Sequence, residues 1–200
     1  MFFIELFCFA IYFMWLGGII MLNEQKVIPA ISNHQDLKKF FELPLTYGIL
    51  MNFQLAQLPD LVKMMKENKK KVLIHSELIK GLSSDEFGAI HLIQTLGVDG
   101  IISSKPKVID VCKKRKVIGI FRFFLKDSVS LAQSLEMAKK ISPQFIEVLP
   151  ACCLEIVERI KKETSSEILM GGLIGSKDQI KKCLNSGAIA VTTSNTSLWV

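Results

Sequence analysis

From Val27 onward, short runs of Val, Ile and Leu alternate with longer stretches whose apolar residues recur at helical spacing. Continuous apolar runs of that length are the mark of strands buried on both faces, and their alternation with amphipathic helices predicts repeated β-α units around a parallel sheet. Eight strands are predicted: Val27 to Ser32, Thr46 to Phe53, Lys71 to Glu77, Asp99 to Ser104, Val117 to Leu125, Phe145 to Pro150, Glu167 to Ile174 and Ala188 to Asn195. Their starts lie 18 to 28 residues apart, room for one strand, one helix and two short loops in each interval. Ser83 or Ser84 is the expected cap of a helix running to Leu96 and ended by Gly97. Asp127 or Ser128 caps the next long helix, and Ser176 opens another that closes at Gly187.

Crossovers between parallel strands are right-handed, so eight in series close into a compact α/β barrel of the TIM type, with every strand's carboxyl end on one face. An open doubly wound sheet is the alternative topology. Only Thr196 to Val200 follow the last strand, which predicts a truncated eighth helix. From residue 23 onward 178 residues remain, fewer than the roughly 250 typical of this fold, so large lids or inserted domains are not expected.

Met1 to Leu22 breaks the pattern with an apolar run interrupted only by Glu5 and long enough to span a bilayer. It reads as a membrane anchor, an appendage packed on the barrel, or sequence upstream of a true start at Met21. The third reading is preferred, because nothing basic precedes Lys26 and Gly17 with Gly18 weakens a continuous helix. Residues 23 to 200 are then one barrel domain, and a membrane role is not expected.

Composition changes this picture little. With 50% hydrophobic residues the chain can fill one sizeable core, and no low-complexity segment marks a linker. Cys8, Cys112, Cys152, Cys153 and Cys183 lack C-x-x-C pairs or interleaved histidines, so no metal site is expected and the thiols read as those of a reduced, cytoplasmic protein. The net charge of +6 permits an acidic partner without requiring one.

The predicted strand ends carry polar residues where a buried strand should be apolar: Asn33, Asn52, His75, Glu77, Ser103, Arg122, Glu147, Thr192, Ser194 and Asn195. A barrel keeps its chemistry on that face, and the strand period supports inward pointing, with His75 and Glu77 on one face of their strand and Arg122 on the same face as Ile118 and Ile120. Gly171-Gly172 after the seventh strand and Thr192 to Asn195 at the eighth match the two loops whose backbone N–H groups hold phosphate in such barrels, glycine allowing close approach. Arg122 suits a phosphate or carboxylate, or a structural ion pair with Glu77 or Glu147. His75, Glu77 and Glu147 suit polyol hydroxyls, acid and base work, or a plain core network. Basic clusters, foremost Lys113, Lys114, Arg115 and Lys116, fall where helices turn toward the next strand, on the opposite face. They fit either a nucleic-acid backbone or the helix macrodipole.

Six segments in order carry a resemblance: His75-Ser76-Glu77-Leu78-Ile79-Lys80-Gly81, Gly100 to Ser104, Arg122 to Ser128, Glu147-Val148-Leu149-Pro150, Gly171 to Ile174, and Ala190 to Asn195 followed by Leu198-Trp199. Together they resemble the glycerol-3-phosphate-responsive antiterminators of bacterial glycerol operons. The match runs from about Val27 to Trp199 and departs from that pattern at Ser76, Glu77 and Asn52. The resemblance implies a regulator, not an enzyme, without cofactor, that binds glycerol 3-phosphate and the leader of a messenger RNA. By position the two loops would hold the phosphate, with His75, Glu77, Arg122 and Glu147 around the glycerol end. The residues alone leave open a small enzyme acting on a triose- or glycerol-phosphate. Leu198, Trp199 and the gap left by the missing eighth helix are the expected surface of a homodimer.

Overall fold

A computed structural model describes Leu22 and residues 24–200. The apolar leader predicted over residues 1 to 22 lies outside the described residues apart from Leu22, whose side chain is buried inside the barrel.

Eight parallel strands close on themselves in chain order: β1 (Val27–Ile31), β2 (Tyr47–Leu50), β3 (Lys71–His75), β4 (Gly100–Ser103), β5 (Ile118–Phe124), β6 (Phe145–Leu149), β7 (Glu167–Gly171) and β8 (Ala190–Thr193). The ring is sealed by β1 beside β8, with Val27 opposite Val191. Seven α-helices wrap it among the described residues: α1 (His34–Phe41), α2 (Leu58–Glu67), α3 (Glu86–Ile90), α4 (Pro106–Arg115), α5 (Ser128–Ile141), α6 (Ile156–Thr164) and α7 (Lys177–Asn185). No helix among them is long and apolar enough to cross a membrane.

Two apolar layers result from the period-2 alternation of the strands. Ile28, Ile49, Leu73, Ile102, Ile120, Phe145 and Leu169 point inward and fill the barrel's lower half together with Leu22 and Tyr47. Their sequence neighbours, among them Ile74, Ile101, Phe121, Phe123, Ile146, Ile168 and Met170, point outward against the helices. At the amino-terminal end the buried Gln25 side chain joins β1 to β2, donating to the carbonyls of Val27 and Tyr47 and accepting from the amides of Thr46 and Tyr47.

Several strands stop short of their predicted carboxyl ends. Asn52, Gly172 and Leu173 have φ of 63°, 74° and 59°, left-handed values that no strand accommodates. β3 ends at His75, and Glu77 lies in a 3-10 turn (Ser76–Leu78), so the two residues do not share a strand face as their spacing predicts. The cap of α3 is Asp85, neither Ser83 nor Ser84: its carboxylate accepts from the amides of Phe87 and Gly88, both at 2.9 Å. Asp127 and Ser176 cap α5 and α7 as expected.

The last helix is replaced by a 3-10 turn, Thr196–Leu198. Its neighbours correct the predicted dimer surface, because Leu198 and Trp199 are buried in the chain's own core, only 4% and 1% exposed. The Trp199 indole N–H donates to the Thr193 carbonyl at 2.9 Å and ties the chain end to β8.

Candidate functional site

The inward row continues above the apolar layers as polar residues. Arg122 follows Ile118 and Ile120, Glu147 follows Phe145, Thr192 follows Ala190 and His75 follows Leu73, all at strand period. Arg122 and Glu147 are register partners on adjacent strands. These four side chains form the floor of a cavity of about 350 Å³ at the carboxyl ends of the strands. Its wall includes Met51, Leu149, Gly172, Leu173, Ile174, Thr193, Ser194 and Asn195. The predicted loops after β7 and β8 therefore meet on one side of one cavity, opposite His75.

Arg122 Nε lies 3.3 Å from Glu147 Oε2, and its Nη1 contacts His75 Nε2. The other Glu147 oxygen accepts from the Thr192 hydroxyl at 2.6 Å. Burial pushes the Glu147 carboxyl above its ordinary range, against the opposing pull of Arg122 and the Thr192 hydrogen bond. His75 is pushed down to about 4, first by burial and then by Arg122, with Glu77 acting the other way. The imidazole is therefore neutral at pH 7. Arg122 Nε and Glu147 Oε2 face each other, and His75 Nδ1 faces Glu77, all three buried and at ion-pair distance without a well-aligned hydrogen bond.

Glu77 stands behind this floor and outside the cavity. One carboxylate oxygen accepts from the Ser103 hydroxyl at 2.9 Å and from the Ser104 amide and hydroxyl at 2.6 and 2.9 Å. The other lies 3.6 Å from His75 Nδ1. Burial raises its pKa, but the Ser104 and Ser103 hydrogen bonds outweigh burial and hold Glu77 below the ordinary range. It is thus an ionised residue placed to orient His75.

Gly171 is also beneath the cavity, in the inward row between Glu147 and Thr192. A Cβ there would stand 2.2 Å from Thr192 Oγ1 and 3.0 Å from Glu147 Oε1, so glycine is what lets Thr192 reach across to Glu147. Gly171→Ala is expected to cost about 1–3 kcal/mol in a urea melt through overpacking and the displaced hydrogen bond. Gly172 serves differently, since its φ of 74° turns the chain from the strand into the cavity wall. Neither the amides of Gly172, Leu173 and Ile174 nor that of Ser194 donates to a backbone or side-chain acceptor among the described residues. Asn195 is oriented by its own turn, its side-chain oxygen accepting from the Ser197 amide at 3.1 Å.

The depressed His75 pKa makes a stability prediction. The folded state binds fewer protons than the unfolded state between pH 6.5 and about 4. The contribution is present above pH 6.5 and is lost as pH falls toward 4, by about 3 kcal/mol. Denaturation across that range should show a smaller loss for His75→Gln than for the unsubstituted protein.

Lys113, Lys114, Arg115 and Lys116 are exposed at the end of α4, on the face opposite the cavity. Lys113 Nζ reaches the Ile141 carbonyl at 3.4 Å. Much of the remaining basic rim pairs locally: Lys139 with Glu163, Lys140 with Glu136, Lys162 with Glu158 and Lys182 with Asp178.

Residues 27–199 match the family model described as "Glycerol-3-phosphate responsive antiterminator". The chain belongs to this family. A crystal structure of the glycerol uptake operon antiterminator regulatory protein from Listeria monocytogenes (str. 4b F2365) superposes on it with a TM-score of 0.85 and 38% identity, covering 88% of this chain and 95% of that one. A glycerol uptake operon antiterminator-related protein from Thermotoga maritima (MSB8) shares the fold at a TM-score of 0.74 and 24% identity, covering 88% and 98%. A curated relative, the uncharacterised protein YgcP of Escherichia coli (strain K12), is 25% identical over 179 residues, 90% of this chain and 94% of its own length. Family membership makes this a regulator of the glycerol-uptake antiterminator class.

Proposed function

We propose that this antiterminator-family protein binds glycerol 3-phosphate in the barrel cavity and, when occupied, binds the leader of a messenger RNA for glycerol-utilisation genes. The observation that carries the reading is the pairing, within one cavity, of a wall of undonated backbone amides at residues 172–174 and 194 with a floor of hydroxyl-binding groups. A phosphate dianion suits the first, because converging N–H groups donate to it without needing charged side chains. Glu147 suits the glycerol end, accepting from its hydroxyls, while Arg122 lies between Glu147 and His75 and neutralises Glu147. Glu77 acts through His75, and Thr192 through Glu147.

The function needs neither metal nor cofactor, and its setting is the cytoplasm, where the effector and nascent transcripts are found together. Catalysis is not part of the reading. The alternative, turnover of a triose- or glycerol-phosphate, has one observation in its favour: a neutral His75 and a Glu147 whose pKa is raised by burial lie in the same cavity, as acid and base work requires.

An electrophoretic shift assay with RNA transcribed from the leader of the glycerol-uptake operon separates the two. RNA affinity should rise when glycerol 3-phosphate is added and fall steeply as salt increases. Reciprocity requires that RNA tighten the effector by the same factor. Charge reversal across Lys113, Lys114, Arg115 and Lys116 should weaken RNA binding and spare the effector. Consumption of glycerol 3-phosphate with no RNA shift would favour the enzyme.

A further inference from the structure

The segment from Arg122 to Ser128 extends well beyond the one arginine that the cavity uses. Phe124, the last residue of β5, is 56% exposed at the barrel rim. With Val129 at 61% and Met137 at 37%, it accounts for three of the six large apolar side chains exposed among the described residues, and all three line one groove. The groove encloses about 520 Å³ between the loop that follows β4 and the outer side of α5. Ser104, Gln133 and Ser134 add hydroxyl and amide groups to its walls. Lys126 Nζ sits 5.7 Å from the centroid of the Phe124 ring.

We propose that this groove is a second binding site, taking an unstacked base of single-stranded RNA that stacks on Phe124 while Lys126 meets the adjoining phosphate. The inference rests on the RNA-binding reading given above and adds the place of contact. An exposed aromatic ring beside a cation is the platform that single-stranded nucleic acid uses, because every base has a π-face and a phosphate follows it. The side-chain amide and hydroxyls match the hydrogen-bonding edge of a base. Charge decides between RNA and a second copy of the chain. The groove's one carboxylate, Asp127, is engaged by the Ser130 amide as the cap of α5, which leaves Lys126 as the cation beside the ring. A two-fold contact through this groove would bring Lys126, with Lys105 next in sequence to the lining residue Ser104, toward the same residues of the partner copy, whereas RNA brings phosphates to them. Lys105 and Lys126 are both exposed.

The position of the groove also supplies a route for regulation. Arg122 lines both the groove and the effector cavity, and inside the cavity it is held by His75 and Glu147. An effector that engages Glu147 and His75 changes the partners of Arg122, and therefore the wall of the groove. The basic end of α4, at Lys113 to Lys116, is about 15 Å from its start at Pro106, the rise of ten helical residues. One single strand of a few nucleotides can lie along the α4 and α5 side from that end to the groove.

Ultraviolet cross-linking of the leader RNA to the full-length protein in saturating glycerol 3-phosphate tests this, read by mass spectrometry of the cross-linked peptides. The expected result is a cross-link on the peptide containing Phe124. Phe124→Ala should weaken RNA binding roughly tenfold, the scale of one base–aromatic stack, and Phe124→Trp should restore it. Glycerol 3-phosphate affinity should stay within about twofold for both, and Lys126→Gln should reduce the salt slope by about one. Cross-links confined to the Lys113–Lys116 end, with Phe124→Ala binding RNA like the unsubstituted protein, would overturn the groove and leave the regulator reading standing. No RNA affinity in the unsubstituted protein would overturn both. A Phe124→Ala variant that changes from dimer to monomer in light scattering would assign the groove to a second copy.

Discussion

Replacing Arg122 with Ala is expected to remove about 3–5 kcal/mol of folding stability at pH 7.5, as breaking a buried ion pair does when one charge is left behind. Glu147, only 3% exposed, would keep the Thr192 hydroxyl and lose the cation 3.3 Å from its other oxygen. Burial already holds this carboxyl above its ordinary pKa with Arg122 present, and removing Arg122 leaves burial less opposed. A carboxyl whose folded pKa exceeds its unfolded value binds more protons when folded. Its contribution to stability is therefore greatest below the unfolded pKa and declines as pH rises through the folded one. The deficit of Arg122→Ala relative to the unsubstituted protein should accordingly be larger at pH 7.5 than at pH 5. His75 reinforces the trend, since Arg122 also opposes its protonation. Urea melts at the two pH values measure this, and Arg122→Ala combined with Glu147→Gln should recover part of the loss. Equal deficits at both pH values would mean that the Glu147 charge is not what the substitution strands. Effector affinity should drop by about 1.5–3 kcal/mol, roughly tenfold to 150-fold, where a charge-assisted contact is lost.

Trp199→Ala is the second large effect, expected to cost about 3–5 kcal/mol, the range for deleting a buried aromatic side chain. The ring is 1% exposed, and its N–H holds the Thr193 carbonyl, one residue before Ser194 at the cavity wall. Stability and effector affinity should therefore fall together. Trp199→Phe should keep most of the apolar burial and lose one hydrogen bond, about 1 kcal/mol. A calorimetric scan with the effector titrated alongside reads both quantities. An unchanged melting temperature for Trp199→Ala would mean that the chain end does not brace β8.

The barrel was legible because burial on both faces imposes a continuous apolar run on each strand, while helices declare themselves by a different period. Strand ends were less legible. Residues 172 and 173 look like a continuation of β7, yet they adopt left-handed conformations, and hydropathy is blind to φ. The inward position of Arg122 follows from counting by twos from Ile118 and Ile120. The same counting misplaced Glu77, because β3 gives way to a 3-10 turn one residue after His75. The hydroxyls of Ser103 and Ser104 that hold Glu77 come from the end of β4 and the loop after it, and such pairings need the sheet register that sequence spacing does not contain. Gly171 illustrates a subtler failure. Its sequence context suggests backbone approach to a ligand, whereas its place in the register makes it the opening through which Thr192 meets Glu147. Trp199 read as a surface residue because a missing helix suggested an uncovered wall, when the chain end itself supplies the cover. The groove at Phe124 carried no periodic signal, since an exposed aromatic at a strand end has the same pattern as a buried one.

The central claim, that backbone amides at the ends of β7 and β8 hold a phosphate above a floor of Arg122, Glu147 and His75, is tested most directly by a crystal structure with glycerol 3-phosphate bound. The phosphate oxygens are predicted within about 3 Å of the amide nitrogens of residues 172–174 and Ser194, with the glycerol hydroxyls toward Glu147 and His75. Phosphate bound elsewhere on the molecule, or a cavity without ligand density at saturating concentration, would contradict it.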